Sequence, residues 1–140
     1  FERGPMRVVS WNDEMSVGVE SIDSQHRKLL EVINDLHEAL GLGRGEDVSE
    51  ALFQELSEYI TEHFGNEEQL MREHLYPELE SHRRAHEGFT ARIVKLKDEA
   101  KAKPGKVSQE ALSFLWEWLV QHDVLIDKKL GSFLNERGVR

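Results

Sequence analysis

The sequence contains no cysteine among its 140 residues. Disulfide bridges, zinc ribbons, iron–sulfur clusters and thiol catalysis are therefore excluded, because each depends on cysteine sulfur. Long apolar runs are also missing: none approaches the roughly 18 residues of a membrane-spanning helix, and no secretory signal is visible. We expect a cytoplasmic protein that does not enter a membrane.

Positive charge is scarce, since 18 Lys and Arg stand against 27 Asp and Glu and give a formal net charge of −9. Nucleic acid binding needs a cationic surface, and an anionic membrane surface would repel this chain. We therefore expect neither partner. A solvated acidic surface explains most of the charge, although carboxylates that bind metal would offset part of it.

Glycine and proline are few and lie between periodic segments, and 39% of the residues are hydrophobic. This length and composition fit one domain with a core that needs no disulfide or metal to fold. We treat residues 1–10 as an N-terminal extension or a cloning remnant, and we expect residues 11–137 to form the domain.

Apolar residues recur every three or four positions in four segments, which is typical of amphipathic helices. Their approximate ranges are 23–40, 47–75, 77–102 and 108–137. Pro77 suits the first turn of the third helix, and Ser108 is expected to cap the fourth. Because no period-two alternation is evident, we predict an all-α, antiparallel up-down-up-down four-helix bundle with an irregular N-terminal arm packed through Trp11.

Five histidines lie on the apolar faces of these helices, where a polar side chain needs a partner. They are His26, His63, His82, His86 and His122. A lone histidine on such a face is usually a core residue with a hydrogen-bond partner. Five of them need five sets of partners, which a metal site supplies together. Glu67 lies one turn after His63 and would be costly to bury as a bare anion.

The candidate ligands also lie at one level of the bundle. In an antiparallel bundle the start of the first helix lies beside the end of the second, the start of the third and the end of the fourth. The candidates occupy those positions in that order: His26, then His63 with Glu67, then His82 with His86, then His122. They are expected to meet within a turn or two, at about 1.5 Å of rise per residue.

This ligand set favours two metal ions. Five imidazoles with a carboxylate exceed one zinc tetrahedron, and calcium and magnesium prefer oxygen ligands throughout. Imidazole with carboxylate suits iron or manganese. The ferritin-like di-iron class uses Glu-x-x-His on two helices, and this motif does not occur in the sequence, so that class is disfavoured.

Several motifs together resemble the bacterial hemerythrins. They are Trp11, Ser16-Val17-Gly18-Val19, Asp23-Ser24-Gln25-His26, His63-Phe64-Gly65-Asn66-Glu67-Glu68, Met71, Tyr76-Pro77, His82-Arg83-Arg84-Ala85-His86 and the residues from Trp118 to Asp127. The resemblance covers about residues 11–134, and it identifies residues 11–137 as a hemerythrin-like di-iron domain. The combined motif is specific because it fixes seven ligands in order across four helices.

The resemblance implies a complete ligand set: His82, His86 and His122 for one iron ion, His26 and His63 for the other, and Glu67 and Asp127 as bridges. It implies two non-haem iron ions with an oxo or hydroxo bridge, and dioxygen bound as hydroperoxide at the iron with an open site. Spacing alone does not select Asp127, which lies about 140° from His122 on a regular helix. A carboxylate could reach across that angle, or a π-type turn could align the two residues.

The oxygen pocket shows one departure from the family. Phe64, Trp118 and Leu119 match positions that line an apolar pocket in hemerythrins, although core packing also explains them. Asp123 stands where family members usually have isoleucine. Its carboxylate either reaches the open iron, directly or through water, or turns to solvent and pairs with a lysine.

Three other residues are expected to stay outside the metal site: Glu68 as a solvated neighbour of Glu67, His37 deeper in the bundle, and His74 near a helix end. The resemblance implies a monomeric dioxygen-binding protein for storage, delivery or scavenging rather than an enzyme. An oxygen or redox sensor domain remains an alternative. A di-iron enzyme of peroxidase or nitric oxide reductase type, with its pocket altered by Asp123, is another.

Overall fold

The computed structural model describes residues 10–43, 45–100 and 102–140, without the side chains of residues 45–50, 104–108, 123 and 124. Within these residues the chain is helical and forms no strand. A short 3-10 helix, Asp13–Met15, precedes helix α1, Glu20–Gly41. Helix α2 consists of three consecutive segments: Gly45–Tyr59, the π-helical Ile60–Phe64, and Gly65–Glu73. Helix α3 is Leu79–Ala100, and helix α4 consists of Pro104–Trp118, the π-helical Leu119–Ile126, and Asp127–Glu136.

The four helices form the predicted antiparallel bundle, in which α1 packs against both α2 and α4. The all-α fold class is therefore confirmed. No helix in the described part of the chain is long and apolar enough to cross a membrane.

The predicted start of the fourth helix is wrong. We expected Ser108 to cap it, but α4 begins at Pro104. Proline fits the first turn of a helix because the missing N–H would have no partner there. Pro104 and Gly105 therefore form the first turn of α4 and not a loop that precedes it. The side chain of Ser108 lies outside the described residues.

The apolar core has two clusters separated by a polar layer. The smaller cluster consists of Val17, Val19, Ile22, Met71, Tyr76, Leu130 and Leu134. The larger one fills the rest of the bundle and includes Leu29, Phe64, Phe89 and Leu119. Each helix passes from one cluster to the other, and the polar residues predicted as ligands lie on the helices between the two clusters. The layer is therefore closed on both sides by apolar side chains.

The N-terminal arm is held by a buried carboxylate. Asp23 accepts hydrogen bonds from the hydroxyl of Ser16 at 2.6 Å and from the backbone N–H of Val17 at 2.8 Å. Trp11 packs against the larger cluster, as predicted. The arm also lies close to α4. A β-carbon built on Gly131 of α4 would stand 1.9 Å from the carbonyl oxygen of Val17 in the arm. The arm thus connects the start of α1 to the end of α4.

Candidate metal centre

Two π-helical segments carry predicted ligand residues. The first, Ile60–Phe64, contains His63, and the second, Leu119–Ile126, contains His122. In the second segment the backbone N–H of Asp127 donates to the carbonyl oxygen of His122, five residues earlier. A π-helical turn links residue i to i+5, so residues five apart face the same side of the helix. The local π-type turn therefore aligns His122 and Asp127.

All seven predicted ligand residues are buried and come together in the polar layer. Their ligand atoms form two groups that share Glu67. One group is Glu67, His82, His86 and His122, and the other is His26, His63, Glu67 and Asp127. Within the described residues, neither group includes His37 or His74.

The carboxylate of Glu67 lies between the two groups. Its Oε1 is 3.1 Å from Nε2 of His82 and 3.0 Å from Nε2 of His86. Its Oε2 is 3.4 Å from Nε2 of His63, in the other group. One oxygen of Glu67 therefore faces each group.

The carboxylate of Asp127 has the same arrangement on the opposite side. Its Oδ1 is 2.9 Å from Nε2 of His82 and 3.2 Å from Nε2 of His122. Its Oδ2 is 2.9 Å from Nε2 of His26 and 3.6 Å from Nε2 of His63. Two carboxylates thus span the gap between three imidazoles on one side and two on the other.

Several of these buried atoms make no well-directed hydrogen bond, although they lie close to one another. They are Oε2 of Glu67, Nε2 of His86 and Nε2 of His122. An unpaired buried acceptor is costly in a folded protein. Acceptor atoms that face one another become favourable when cations lie between them, and imidazole with carboxylate is a donor set that suits iron. The residues present therefore fit a pair of metal ions.

Burial sets the protonation of the histidines in the metal-free chain. It lowers the pKa of His63 to about 4 and that of His86 to about 4. Both imidazoles are then neutral at neutral pH, the state in which they bind metal. For His82, burial opposes protonation, but hydrogen bonds to Asp127 and Glu67 outweigh it and raise its pKa to about 10. Burial also opposes the charged form of Asp127, yet the charge and hydrogen bonds of the surrounding histidines hold its pKa well below the usual range.

Apolar and aromatic side chains cover the imidazoles on the side of the larger cluster. Phe64 stacks on His86 with ring centroids 3.8 Å apart, and Trp118 stacks on His122 at 4.0 Å. Leu119 is fully buried beside them. These three residues were predicted to line the pocket. The fourth, Asp123, has its side chain outside the described residues, so the hypothesis on its carboxylate stays a prediction.

Sequence reasoning missed Tyr59. Its ring stacks on His63 with centroids 4.9 Å apart, and its hydroxyl accepts a hydrogen bond from Nε1 of Trp118 at 3.3 Å. Its position one turn before His63 on the same helix face was the available signal.

Glu68 is not the solvated neighbour of Glu67 that we expected. Instead of standing free in solvent, its Oε2 lies 2.9 Å from Nδ1 of His86 and accepts a hydrogen bond from it. Gln25 has the equivalent place at His63, whose Nδ1 lies 2.9 Å from Oε1 of Gln25. The spacing of residues in the sequence does not indicate either contact, because Glu68 and Gln25 each lie on a different helix from the histidine that they contact.

Comparison with known proteins agrees with this geometry. The family model described as the hemerythrin HHE cation binding domain matches residues 17–134. The chain is 34% identical over 117 residues to a bacteriohemerythrin of Stenotrophomonas maltophilia, covering 84% of this chain and 75% of that protein. It is 27% identical over 131 residues to the bacteriohemerythrin of Methylococcus capsulatus, covering 93% and 99% of the two chains. It is also 30% identical over 112 residues to a myohemerythrin of Theromyzon tessulatum, covering 80% and 82%. A buried cage of imidazoles and carboxylates and a family match over most of the chain lead to one conclusion: this chain belongs to the hemerythrin family.

Proposed function

We propose that this chain binds dioxygen reversibly at a pair of non-haem iron ions. The observation that carries the proposal is the placement of the two carboxylates. Glu67 and Asp127 each direct one oxygen to the three-histidine group and the other to the two-histidine group. Two cations that share both carboxylates satisfy all of these atoms together.

The two groups would hold their ions unequally. The proposed ligands of one ion are His82, His86 and His122, and those of the other are His26 and His63, with Glu67 and Asp127 shared. The second ion therefore has one imidazole fewer, and its free position is where dioxygen would bind. When bound, the iron pair supplies the redox chemistry of dioxygen binding, while the protein supplies the ligand geometry and the surrounding apolar wall.

The apolar wall favours a small neutral ligand. In the two-histidine group, the rings of Tyr59 and Phe64 lie beside the imidazole of His63, with centroids 4.9 Å and 5.6 Å away, and present an aromatic surface there. An uncharged diatomic molecule loses little hydration on entering such a space, whereas an anion loses much more. This asymmetry supports dioxygen binding over the binding of charged substrates.

The proposal is tested by anaerobic loading of the metal-free protein with ferrous salt, followed by iron analysis and an optical spectrum under air. We expect about two iron ions per chain, a visible charge-transfer band under air, and loss of that band under vacuum. His63→Ala is the matched control, because it removes one ligand of the two-histidine group. A wild-type chain that takes up no iron would overturn the proposal.

The same experiment separates the physiological roles. A band that returns over repeated cycles of air and vacuum supports storage, delivery or scavenging of oxygen. Irreversible bleaching to a ferric spectrum favours a sensor or an enzyme of peroxidase or nitric oxide reductase type. Asp123 is the sequence feature that raises the second possibility, since a carboxylate near the open position would favour the ferric state.

A further inference from the structure

His86 and His63 hydrogen-bond outward to partners of different charge. Nδ1 of His86 lies 2.9 Å from a carboxylate oxygen of Glu68, and Nδ1 of His63 lies 2.9 Å from the amide oxygen of Gln25. His86 belongs to the three-histidine group and His63 to the two-histidine group. The anionic partner therefore serves one proposed ion and the neutral partner serves the other.

The contact with Glu68 fixes the state of the His86 ring. An ionised carboxylate only accepts hydrogen bonds, so Nδ1 carries the proton and Nε2 keeps its lone pair. That Nε2 is buried, lies 3.0 Å from Oε1 of Glu67 and makes no well-directed hydrogen bond with it. Phe64 stacks on the same ring at an interplanar angle of 3°. Glu68 and Phe64 together thus direct the Nε2 lone pair into the site.

The contact with Gln25 belongs to a small neutral network. Oε1 of Gln25 also lies 3.4 Å from Nδ2 of Asn66, and Nε2 of Gln25 lies 3.4 Å from the backbone oxygen of Glu62. The amide is oriented by these two contacts, which present its oxygen to His63. This network fixes the ring of His63 in the same tautomer without adding negative charge.

We propose that Glu68 and Gln25 are positioning residues that make the two metal ions electronically unequal. The inference rests on the proposed iron pair. A carboxylate that accepts from a metal-bound imidazole makes it a stronger donor than an amide does. The three-histidine ion is thereby held more tightly and stabilised in its ferric state. At the two-histidine ion, His63 is the weaker donor, which suits an exchangeable position.

The test compares near-isosteric variants that change charge and keep the hydrogen-bond acceptor. Glu68→Gln removes the charge beside His86, and Gln25→Glu adds one beside His63. A third variant, Glu68→Leu, removes both the charge and the hydrogen-bond acceptor. Glu87→Gln is the matched control, because Glu87 neighbours His86 in sequence, is exposed, and pairs with Arg83. The readouts are Co²⁺ affinity by titration of the metal-free protein, the reduction potential of the iron-loaded protein, and its charge-transfer spectrum.

We expect Glu68→Leu to weaken the binding of one of the two ions about 10–100-fold. Glu68→Gln is expected to weaken it less, because the amide oxygen still accepts from Nδ1, and to raise the reduction potential. Gln25→Glu is expected to lower that potential. Glu87→Gln should resemble the wild type in all three readouts.

Two results would overturn the inference. In the first, Glu68→Gln and Glu68→Leu keep the affinity, potential and spectrum of the wild type. In the second, Glu87→Gln shifts the reduction potential as much as Glu68→Gln does. The shift would then come from the net charge of the protein and not from the hydrogen bond between Glu68 and His86. A wild type that binds neither Co²⁺ nor iron contradicts the proposed function itself. A wild type that binds metal while the variants show no shift contradicts this inference alone.

Discussion

Oδ2 of Asp127 lies 2.9 Å from Nε2 of His26, although the two residues are 101 positions apart in the sequence. The other oxygen of the same carboxylate faces His82 and His122. Asp127 therefore contacts histidines of both groups, and the same holds for Glu67. The two carboxylates differ in this respect from every histidine of the site, since each histidine belongs to one group.

Loss of a shared carboxylate should affect both ions. We expect Asp127→Ala to retain well under one iron ion per chain after anaerobic loading, because each ion loses an oxygen ligand. His26→Ala should retain about one, held by the intact three-histidine group. Iron analysis with Mössbauer spectroscopy separates the two results. Equal iron contents in the two variants would contradict the bridging assignment.

Three histidines of the metal-free protein should titrate far from the ordinary range, two of them below it and one above it. Imidazole ¹⁵N NMR is expected to find His63 and His86 neutral down to pH values near 4, and His82 protonated up to pH values near 10. Histidines that titrate together near 6.5 would contradict the described geometry.

The same shifts give the metal-free protein a stability maximum near pH 6.5. In the folded chain His63 and His86 have pKa values below the ordinary histidine value of 6.5, so their effect is a loss of stability as pH falls from 6.5 towards 4. His82 has a raised pKa, so its stabilisation is complete below 6.5 and is lost as pH rises through 10. Urea unfolding over this range measures the effect, and a profile that rises steadily with pH would contradict it.

The hydrogen bonds between the arm and Asp23 should contribute measurably to the free energy of unfolding. Asp23→Ala leaves the N–H of Val17 and the hydroxyl of Ser16 without their acceptor, and we expect a loss of about 1–3 kcal/mol in unfolding free energy. Asp23→Asn keeps one acceptor oxygen and should lose less. Denaturant unfolding of the metal-free variants measures both values without a contribution from bound ions.

Two glycine substitutions within helices should act in opposite directions. In Gly131→Ala the new β-carbon would meet the backbone oxygen of Val17, which cannot move aside without moving the arm, and we expect a loss of about 1–3 kcal/mol. Gly88→Ala meets nothing within 4 Å and should gain about 0.5–1 kcal/mol from its higher helix propensity. Similar thermal stabilities of the two variants would show that the arm does not approach α4 this closely.

Asp123 remains the sequence-based hypothesis to test directly. If its carboxylate reaches the open position, Asp123→Ile should bind dioxygen more reversibly and oxidise to the ferric state more slowly. Autoxidation rates of the two iron-loaded proteins measure this. Equal rates would assign Asp123 to the protein surface.

Much of the fold follows from the sequence because the relevant signals are local. Apolar spacing of three and four residues indicated the helices, and histidines on the apolar faces indicated the level of the site. What escaped prediction depends on contacts between helices or on departures from regular geometry. Spacing alone did not select Asp127, which was predicted only through the family resemblance, because it needs the π-helical turn to face the same way as His122. Glu68 looked like a surface residue because its partner, His86, lies on another helix.

Helix α4 supplies a residue to each of the two groups, and this has a consequence for synthesis on the ribosome. One group needs His122, and the other needs Asp127, so neither set of donors is whole until the last helix has emerged. A nascent chain that carries only the first three helices offers His26, His63, Glu67, His82 and His86, without the donors that α4 adds to each group. If the chain binds iron as proposed, a full complement would be taken up only after Asp127 has been translated and the final helix has docked.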